Sequence, residues 1–473
     1  MEPRGVQRSN LNPETPRSHR TSAQTGTTTK SERYQLELQS NQWLRIGLVA
    51  KDKTVRFNNL LTRINLESLR EAFRELDGTK ARGIDKITKR DYGRNLEPNL
   101  QDLIDRIHKG SYRPQPKRRV MIPKANGKLR PIAISCFEDK LVEWVLSKTL
   151  NTIYEPLFIP TSFGFRERKS AHGAIQAFSN CMEKGKHPFI VEIDFAKFFD
   201  TINHRRMILI LQKRIADGRF LSLISRFLQV GILEETSGTI QLATRGAPQG
   251  SVMSPVLANI FLNECLDQWF MERYAPQGAL IVRYADDAVF AFKTEETALE
   301  FKTALKHRIE LYGLELNEDK TKFIPMQKNS GNVLDFLGFT FYWGHALRSK
   351  RKQFKAKTNK ESLAKKLGEY REWLKKVRSS KPINTIWNIT AAKLRGHYQY
   401  YGLVTNREKL NHFFQQVKWA LFRGLNRKSQ KGSYSWKGFN QRLLHYPLPT
   451  PPPLSLLKPL YTTSVYELAR AGR

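Results

Sequence analysis

Residues 281–292 read Ile281-Val282-Arg283-Tyr284-Ala285-Asp286-Asp287-Ala288-Val289-Phe290-Ala291-Phe292, two adjacent acids between apolar and aromatic runs. Runs of this kind favour extended strands, so the stretch predicts a β-hairpin with the acids at its turn. An isolated Asp-Asp is commonly a solvated turn, because Asp hydrogen-bonds its own backbone there. A turn also breaks the alternation that sends neighbouring strand side chains to opposite faces, so both carboxylates can meet one ion. On these residues alone both readings stay open.

Working outward, Phe189-Ile190-Val191-Glu192-Ile193-Asp194-Phe195-Ala196-Lys197-Phe198-Phe199-Asp200 is a strand pattern that delivers Asp194 at its end, where a helix is expected. Asp194 reads either as a helix cap or as a third site carboxylate. Spacing does not bring it to Asp286, but chemistry gives a reason to look. Nucleotidyl transfer uses two divalent cations roughly 3.5–4 Å apart, bridged by carboxylates, one activating a 3′-hydroxyl and one holding a triphosphate. Two Mg²⁺ ions are expected, with Mn²⁺ as a substitute.

The 473 residues include 80 Lys and Arg against 44 Asp and Glu, a formal charge of +36 that points to a polyanionic partner. A 40% hydrophobic, 11% aromatic composition buries real cores and argues against wholesale disorder. Cys136, Cys181 and Cys265 form neither a metal-binding pair nor a disulfide framework, which points to a reducing cytoplasm. No run approaches a membrane span and none resembles a leader core. Residues 1–33 are polar and basic and are expected as a tail, and 34–115 as a mainly helical extension. Strand and helix signals alternate over 116–345. A very basic module follows over 346–446, where residues 345–446 hold 25 Lys and Arg against 4 Asp and Glu. Three helices are legible in it, through Leu363, Leu367, Tyr370, Leu374 and Val377, then Trp387, Ala391, Leu394, Tyr398 and Tyr401, then Leu410, Phe413, Phe414, Val417 and Leu421. The Pro-rich segment 447–473 reads as an extended linker.

In order along the chain, Arg118 to Pro131, Ser162-Phe163-Gly164-Phe165-Arg166 with Ser170-Ala171-His172, Ile193 to Asp200, Arg245-Gly246-Ala247-Pro248-Gln249-Gly250-Ser251 through Ile260, Tyr284-Ala285-Asp286-Asp287, Leu316 to Lys322 and Phe336-Leu337-Gly338-Phe339 resemble the seven motifs of reverse transcriptases, specifically the group II intron type. The resemblance implies an α+β right-hand polymerase fold of fingers and palm, an N-terminal helical extension and an α-helical thumb like domain X of the maturases. It implies that Asp194, Asp286 and Asp287 hold the catalytic metals and that Phe199 is a steric gate against a ribose 2′-hydroxyl. Lys124 and Arg130 flank Asn126-Gly127, a strong hairpin signal, and would face the triphosphate. A strict two-residue loop would place them on different faces, so either a bulge intervenes or only one touches phosphate. Gln249 matches a nucleotide-contacting glutamine and Lys320 a lysine near the phosphates. Ser254-Pro255 reads as a helix cap followed by proline at the first helical position.

Arg395-Gly396-His397-Tyr398-Gln399-Tyr400-Tyr401-Gly402 is the best local match to domain X, and Arg395, His397 and Tyr398 are the nucleic-acid-binding candidates, although the spacing of the aromatic residues also reads as core. No zinc-ligand spacing follows, so the endonuclease domain of some relatives is not expected. Ser251 stands where the family usually has glycine, and Ala288 where Phe is commoner. Together these features imply an RNA-directed DNA polymerase in the bacterial cytoplasm. Its partners would be an RNA template, such as its own intron RNA, a DNA or RNA primer, and dNTPs, with maturase activity beside synthesis. The alternatives are a related enzyme recruited to host defence or repair, and a non-catalytic splicing factor on the same fold. An RNA-dependent RNA polymerase fits less well, because Phe199 would exclude its substrate.

Overall fold

A computed structural model describes residues 41–123, 129–234, 238–242, 244–346, 351–427 and 433–461. Residues 46–473 form one compact unit; residues 1–45 lie outside it and are described only from 41, where the helix Gln42–Ala50 is beginning. The helix Leu66–Glu75 is started by a reciprocal cap, in which the Asn65 side chain accepts from the Ser68 N–H and Ser68 Oγ accepts from the Asn65 N–H. Leu96–His108 follows and buries Leu100, Leu103 and Ile107 at helical spacing.

Three small sheets carry the rest. In the first, β1 (Lys117–Pro123) pairs antiparallel with β2 (Leu129–Ile134) and parallel with β4 (Ile232–Leu233), which pairs with β5 (Ile240–Gln241). Its register sets Arg130 opposite Ile122 and Leu129 opposite Pro123. The strands are therefore joined by five residues rather than by the strict two-residue loop considered for Asn126-Gly127. Lys124 and that loop lie outside the described residues. The helix Phe137–Tyr154 backs this region with Leu141, Val142, Val145, Leu146, Leu150 and Ile153 buried.

The second sheet has the order β6 (Leu280–Tyr284), β7 (Asp287–Phe292), β3 (Phe189–Ile193), β8 (Lys322–Pro325). Ala288 to Phe292 are all buried, as a central strand covered on both faces requires. Phe290 and Phe292 meet Phe301 of the helix Glu295–Glu310 at 4.5 and 5.0 Å between ring centroids. Each such buried ring contributes about 1.5–3 kcal/mol of burial free energy.

The third sheet joins β9 (Leu334–Phe336), β10 (Phe339–His345) and β11 (Lys352–Thr358). β10 and β11 pair over seven residues, Phe339↔Thr358 to His345↔Lys352, so the boundary expected between 345 and 346 falls between two paired strands. Phe336, Phe341 and Phe354 of this sheet share one apolar core with Leu363, Leu374, Trp387, Leu394 and Leu421 of the helices beyond it. Those helices are Lys360–Val377, Ile383–Tyr401 and Arg407–Asn426, and a fourth, Trp436–His445, was not legible because Phe439 is its one buried residue.

The proline-rich segment departs from the linker reading as far as it is described, to residue 461. Leu448, Leu457 and Leu460 are buried, Tyr398 and Trp387 donate to the carbonyls of Pro449 and Tyr446, and Gln176 donates to that of Pro459. Proline lacks an N–H but keeps its carbonyl, so an extended strap can be held from outside by side-chain donors. Among the described residues no helix is long and apolar enough to cross a membrane.

Candidate functional site

The hairpin turn consists of Ala285 and Asp286 between Tyr284 and Asp287, which pair across it. Ala285 has φ 57°, a conformation that costs an alanine about 1–2 kcal/mol and persists only where its surroundings fix it. They do. The Arg283 side chain, fully buried, donates to the Ala285 carbonyl at 2.9 Å, to Asn259 Oδ1 at 2.9 Å and to the buried Asp267 carboxylate at 2.5–3.1 Å. Thr161 to Phe163 run beside β6, with the Arg283 N–H donating to the Thr161 carbonyl and the Phe163 N–H to that of Arg283. Gly164 then passes so close that a Cβ on it would lie 2.2 Å from the Ala285 nitrogen. Only glycine fits there, which gives the Ser162-Phe163-Gly164 motif a steric function.

The register of β3 on β7 ends at Ile193↔Ala288, and one step further it sets Asp194 alongside Asp287. The β6–β7 turn adds Asp286. Asp194 caps no helix: the short helix Phe198–Thr201 starts after Lys197, which has φ 50°. Instead Asp194 Oδ2 accepts from Lys320 Nζ and Asn317 Nδ2, both at 3.1 Å, and its carbonyl accepts from the Asn317 N–H. Burial, then the Asp194 charge, raises the Asp286 carboxyl above its usual range, against Arg130 and Arg283. Surrounding protein, then Asp286 and Asp194, pushes Asp287 up to about 7, although its side chain reaches solvent and Lys320 opposes the shift. Glu192, two residues before Asp194 and on the same strand face, is pushed up to about 7 by burial, with Asp335, Asp287 and Asp194 adding and Lys322 opposing. It was missed, although the i, i+2 spacing carries the signal. Asn317 was missed too, inside a motif read for its lysine.

Among the described residues no three Asp, Glu, His or Cys side chains already converge as a metal cage. The donor chemistry nevertheless fits a hard divalent cation. Three carboxylates stand on neighbouring elements, the Asp194 charge raises the proton affinity of Asp286 and both raise that of Asp287, and an ion between them would relieve that repulsion.

Arg130 and Gln249 meet, with Arg130 Nε donating to Gln249 Oε1 at 2.6 Å, and Arg130 also acts electrostatically on Asp286. Phe199 is buried, edge-on to Phe198 at 5.5 Å, and its carbonyl accepts the Ala247 N–H. With Ala247 and Pro248 it lines a cavity of about 340 Å³. Ser254 is the first residue of its helix rather than the cap before it: Met253 precedes the helix, and Ser254 Oγ donates back to the Pro248 carbonyl.

His397 and Tyr398 do not form a nucleic-acid surface. Both are buried; His397 stacks on Phe413 and is pushed down to about 4 by burial and Lys366, so it carries no charge for a phosphate at neutral pH. Arg395 alone of the three is exposed. The basic exterior expected of this module is centred elsewhere: the exposed Arg371, Lys375, Arg423 and Arg427 and the half-buried Arg378 surround a cavity of about 550 Å³ that Trp419 also lines.

Residues 122–341, from β1 into β10, match the family described as reverse transcriptase (RNA-dependent DNA polymerase). Protein YkfC of Escherichia coli K12 is 34% identical over 348 residues, 64% of this chain and 87% of that protein. The chain belongs to the reverse transcriptase family and carries its RNA-dependent DNA polymerase domain. The group II intron-encoded protein LtrA of Lactococcus lactis is 37% identical over 177 residues, 37% of this chain but only 29% of that protein. Among solved structures, telomerase from Candida albicans with a fragment of telomeric RNA aligns at 13% identity and TM-score 0.41, over 71% of this chain and 63% of that chain.

Proposed function

We propose that this protein extends a primer 3′-hydroxyl with dNTPs on an RNA template. The observation that carries this reading is the strand register, which ends at Ile193↔Ala288 and so makes Asp194 and Asp287 the next residues on the adjoining strands, with Asp286 in the strained turn feeling the Asp194 charge. Asp194, Asp286 and Asp287 would hold two Mg²⁺ ions, which when bound activate the attacking hydroxyl and hold the triphosphate. Arg130 and Lys320 present cationic groups to that triphosphate, Gln249 orients the nucleotide, and Phe199 excludes a 2′-hydroxyl. The first two sheets then act as fingers and palm and the C-terminal helices as a thumb. That thumb binds structured RNA through its basic face, in keeping with the similarity to an intron-encoded protein, and intron binding with maturase activity would rest on it.

The test is Mg²⁺-dependent extension of a DNA primer on an RNA template, with dNTPs or rNTPs, by wild type and Asp286→Ala. Extension with dNTPs is expected, abolished in the variant, while RNA affinity stays within about twofold because phosphate contacts rather than this carboxylate set it. Tight RNA binding by wild type without extension, across primers and metals, would favour a splicing factor instead.

A further inference from the structure

Glu143, in the middle of the helix Phe137–Tyr154, is fully buried and serves three separate chain segments. Its Oε1 accepts from Lys117 Nζ of β1 at 2.7 Å and from Ser135 Oγ, just past β2, at 2.9 Å. Its Oε2 accepts the backbone N–H of Val252 at 2.9 Å. Lys117 is as buried as its partner. Burying such a pair costs several kcal/mol of hydration, and a matched apolar pair is often as stable. Stability alone therefore does not account for a carboxylate here. An apolar side chain could not bind, at one point and with fixed direction, a strand lysine, a strand-end hydroxyl and a loop N–H.

The loop so held carries Gln249. Three residues before Val252, the Gln249 carbonyl accepts the N–H of Ala133 on β2, the edge strand of its sheet, at 2.7 Å. Gly250, with φ 105°, lies so close to β2 that a Cβ would come within 2.6 Å of Ile132 and 2.8 Å of the Ala133 carbonyl. On the same strand Arg130 donates to the Gln249 side chain. The contact between Arg130 and Gln249 thus depends on how the loop 249–252 sits along β2. Glu143 fixes both sides of that contact, the sheet through Lys117 and Ser135 and the loop through Val252.

We infer that Glu143 is a positioning residue for the incoming nucleotide: by holding the Val252 N–H against the sheet it sets the register of Gln249 on Arg130, and hence dNTP affinity, without touching substrate. The inference rests on the reading of Arg130 and Gln249 as the nucleotide site.

Two charge-neutral variants isolate the effect. Lys117→Met with Glu143→Gln removes the ion pair but leaves an amide oxygen for Val252, whereas Lys117→Met with Glu143→Met leaves no acceptor. The Gln pair should keep KM for dNTP within about threefold of wild type. The Met pair should raise it about tenfold, the scale of one charge-assisted hydrogen bond, with kcat at saturating dNTP little changed. Equal KM values in the two pairs, or a loss of kcat that only tracks the folded fraction, would overturn the inference. If the Met pair does not fold, Glu143→Asp, one methylene shorter with Lys117 kept, should raise KM in the same sense, and an unchanged KM would refute it. Gln249→Ala separates the two readings. If it leaves KM unaltered, the nucleotide assignment fails. Amide exchange over residues 247–253 then still decides whether Glu143 anchors the loop, by being faster in the Met than in the Gln pair, with equal rates counting against the anchor.

Discussion

Gly164→Ala should inactivate the enzyme without unfolding it. An added Cβ would sit 2.2 Å from the Ala285 nitrogen, 2.9 Å from its Cα and 3.0 Å from its Cβ. Backbone atoms cannot swing away as a side-chain tip can, so one segment must move by about 1 Å to reach ordinary contact distance. The Gly164 side is pinned by Asn259 Nδ2, which donates to its carbonyl at 2.7 Å, and the hairpin side by Arg283. Asn259 also accepts from Arg283, which links the two segments, so a shift of either is passed to the turn and disturbs Asp286 and Asp287. A misplacement of this size costs a reaction about 100-fold, and overpacking a core costs about 1–3 kcal/mol. Steady-state primer extension should show kcat lowered about 100-fold, with RNA affinity unchanged and a melting temperature only a few degrees lower. Gly368→Ala is the control: its Cβ meets nothing in the helix Lys360–Val377, so extension should be unaltered and stability should rise by up to about 1 kcal/mol. A Gly164→Ala enzyme with wild-type kcat would refute the steric argument, as would a loss of rate that matches the unfolded fraction.

Phe199→Ala should raise the ratio of ribonucleotide to deoxynucleotide incorporation; the ring is buried, so the variant also loses about 3 kcal/mol of stability, and the ratio is the proper readout because it is independent of the amount folded. An unchanged ratio removes the gate assignment. Replacing Arg378, Arg423 and Arg427 together by Gln should weaken RNA binding and reduce the slope of log affinity against log salt by about 2, at roughly 0.7–0.9 per lost phosphate contact; weaker binding with the same slope would mean that these side chains do not meet the backbone.

The parts of the site legible in the sequence are those set by local chemistry. Strand, turn and strand follow from Ile281 to Phe292 because apolar runs and a polar pair decide a hairpin within a dozen residues. Helix spacing likewise locates the three long C-terminal helices. Register is different: that Asp194 lies beside Asp287 depends on pairing between segments nearly a hundred residues apart, which no local pattern encodes. Burial of polar residues is equally hidden. Glu143 and Arg283 look like solvated charges in sequence, while His397, among Lys and Arg, looks like a phosphate contact and is core. Leucines spaced through prolines gave no period, so the docking of 446–461 was not legible either.

The two loops on which the proposed chemistry depends are held in the same manner. Ala285 is strained and its carbonyl is bound by a buried guanidinium; the loop after Gln249 has its N–H bound by a buried carboxylate. Apolar packing is non-directional, so it can compact a loop without fixing its dihedral angles. Hydrogen bonds from rigid, fully buried ions do fix them, because the donor or acceptor direction is set and water cannot compete. Arg283 and Glu143 are each matched by one ion of opposite charge, Asp267 and Lys117, which prevents an uncompensated charge in the core. Each ion pair thus stands where backbone geometry, rather than volume, must be held. The cost of burying these charges makes sense if it maintains the relative placement of metal carboxylates and nucleotide.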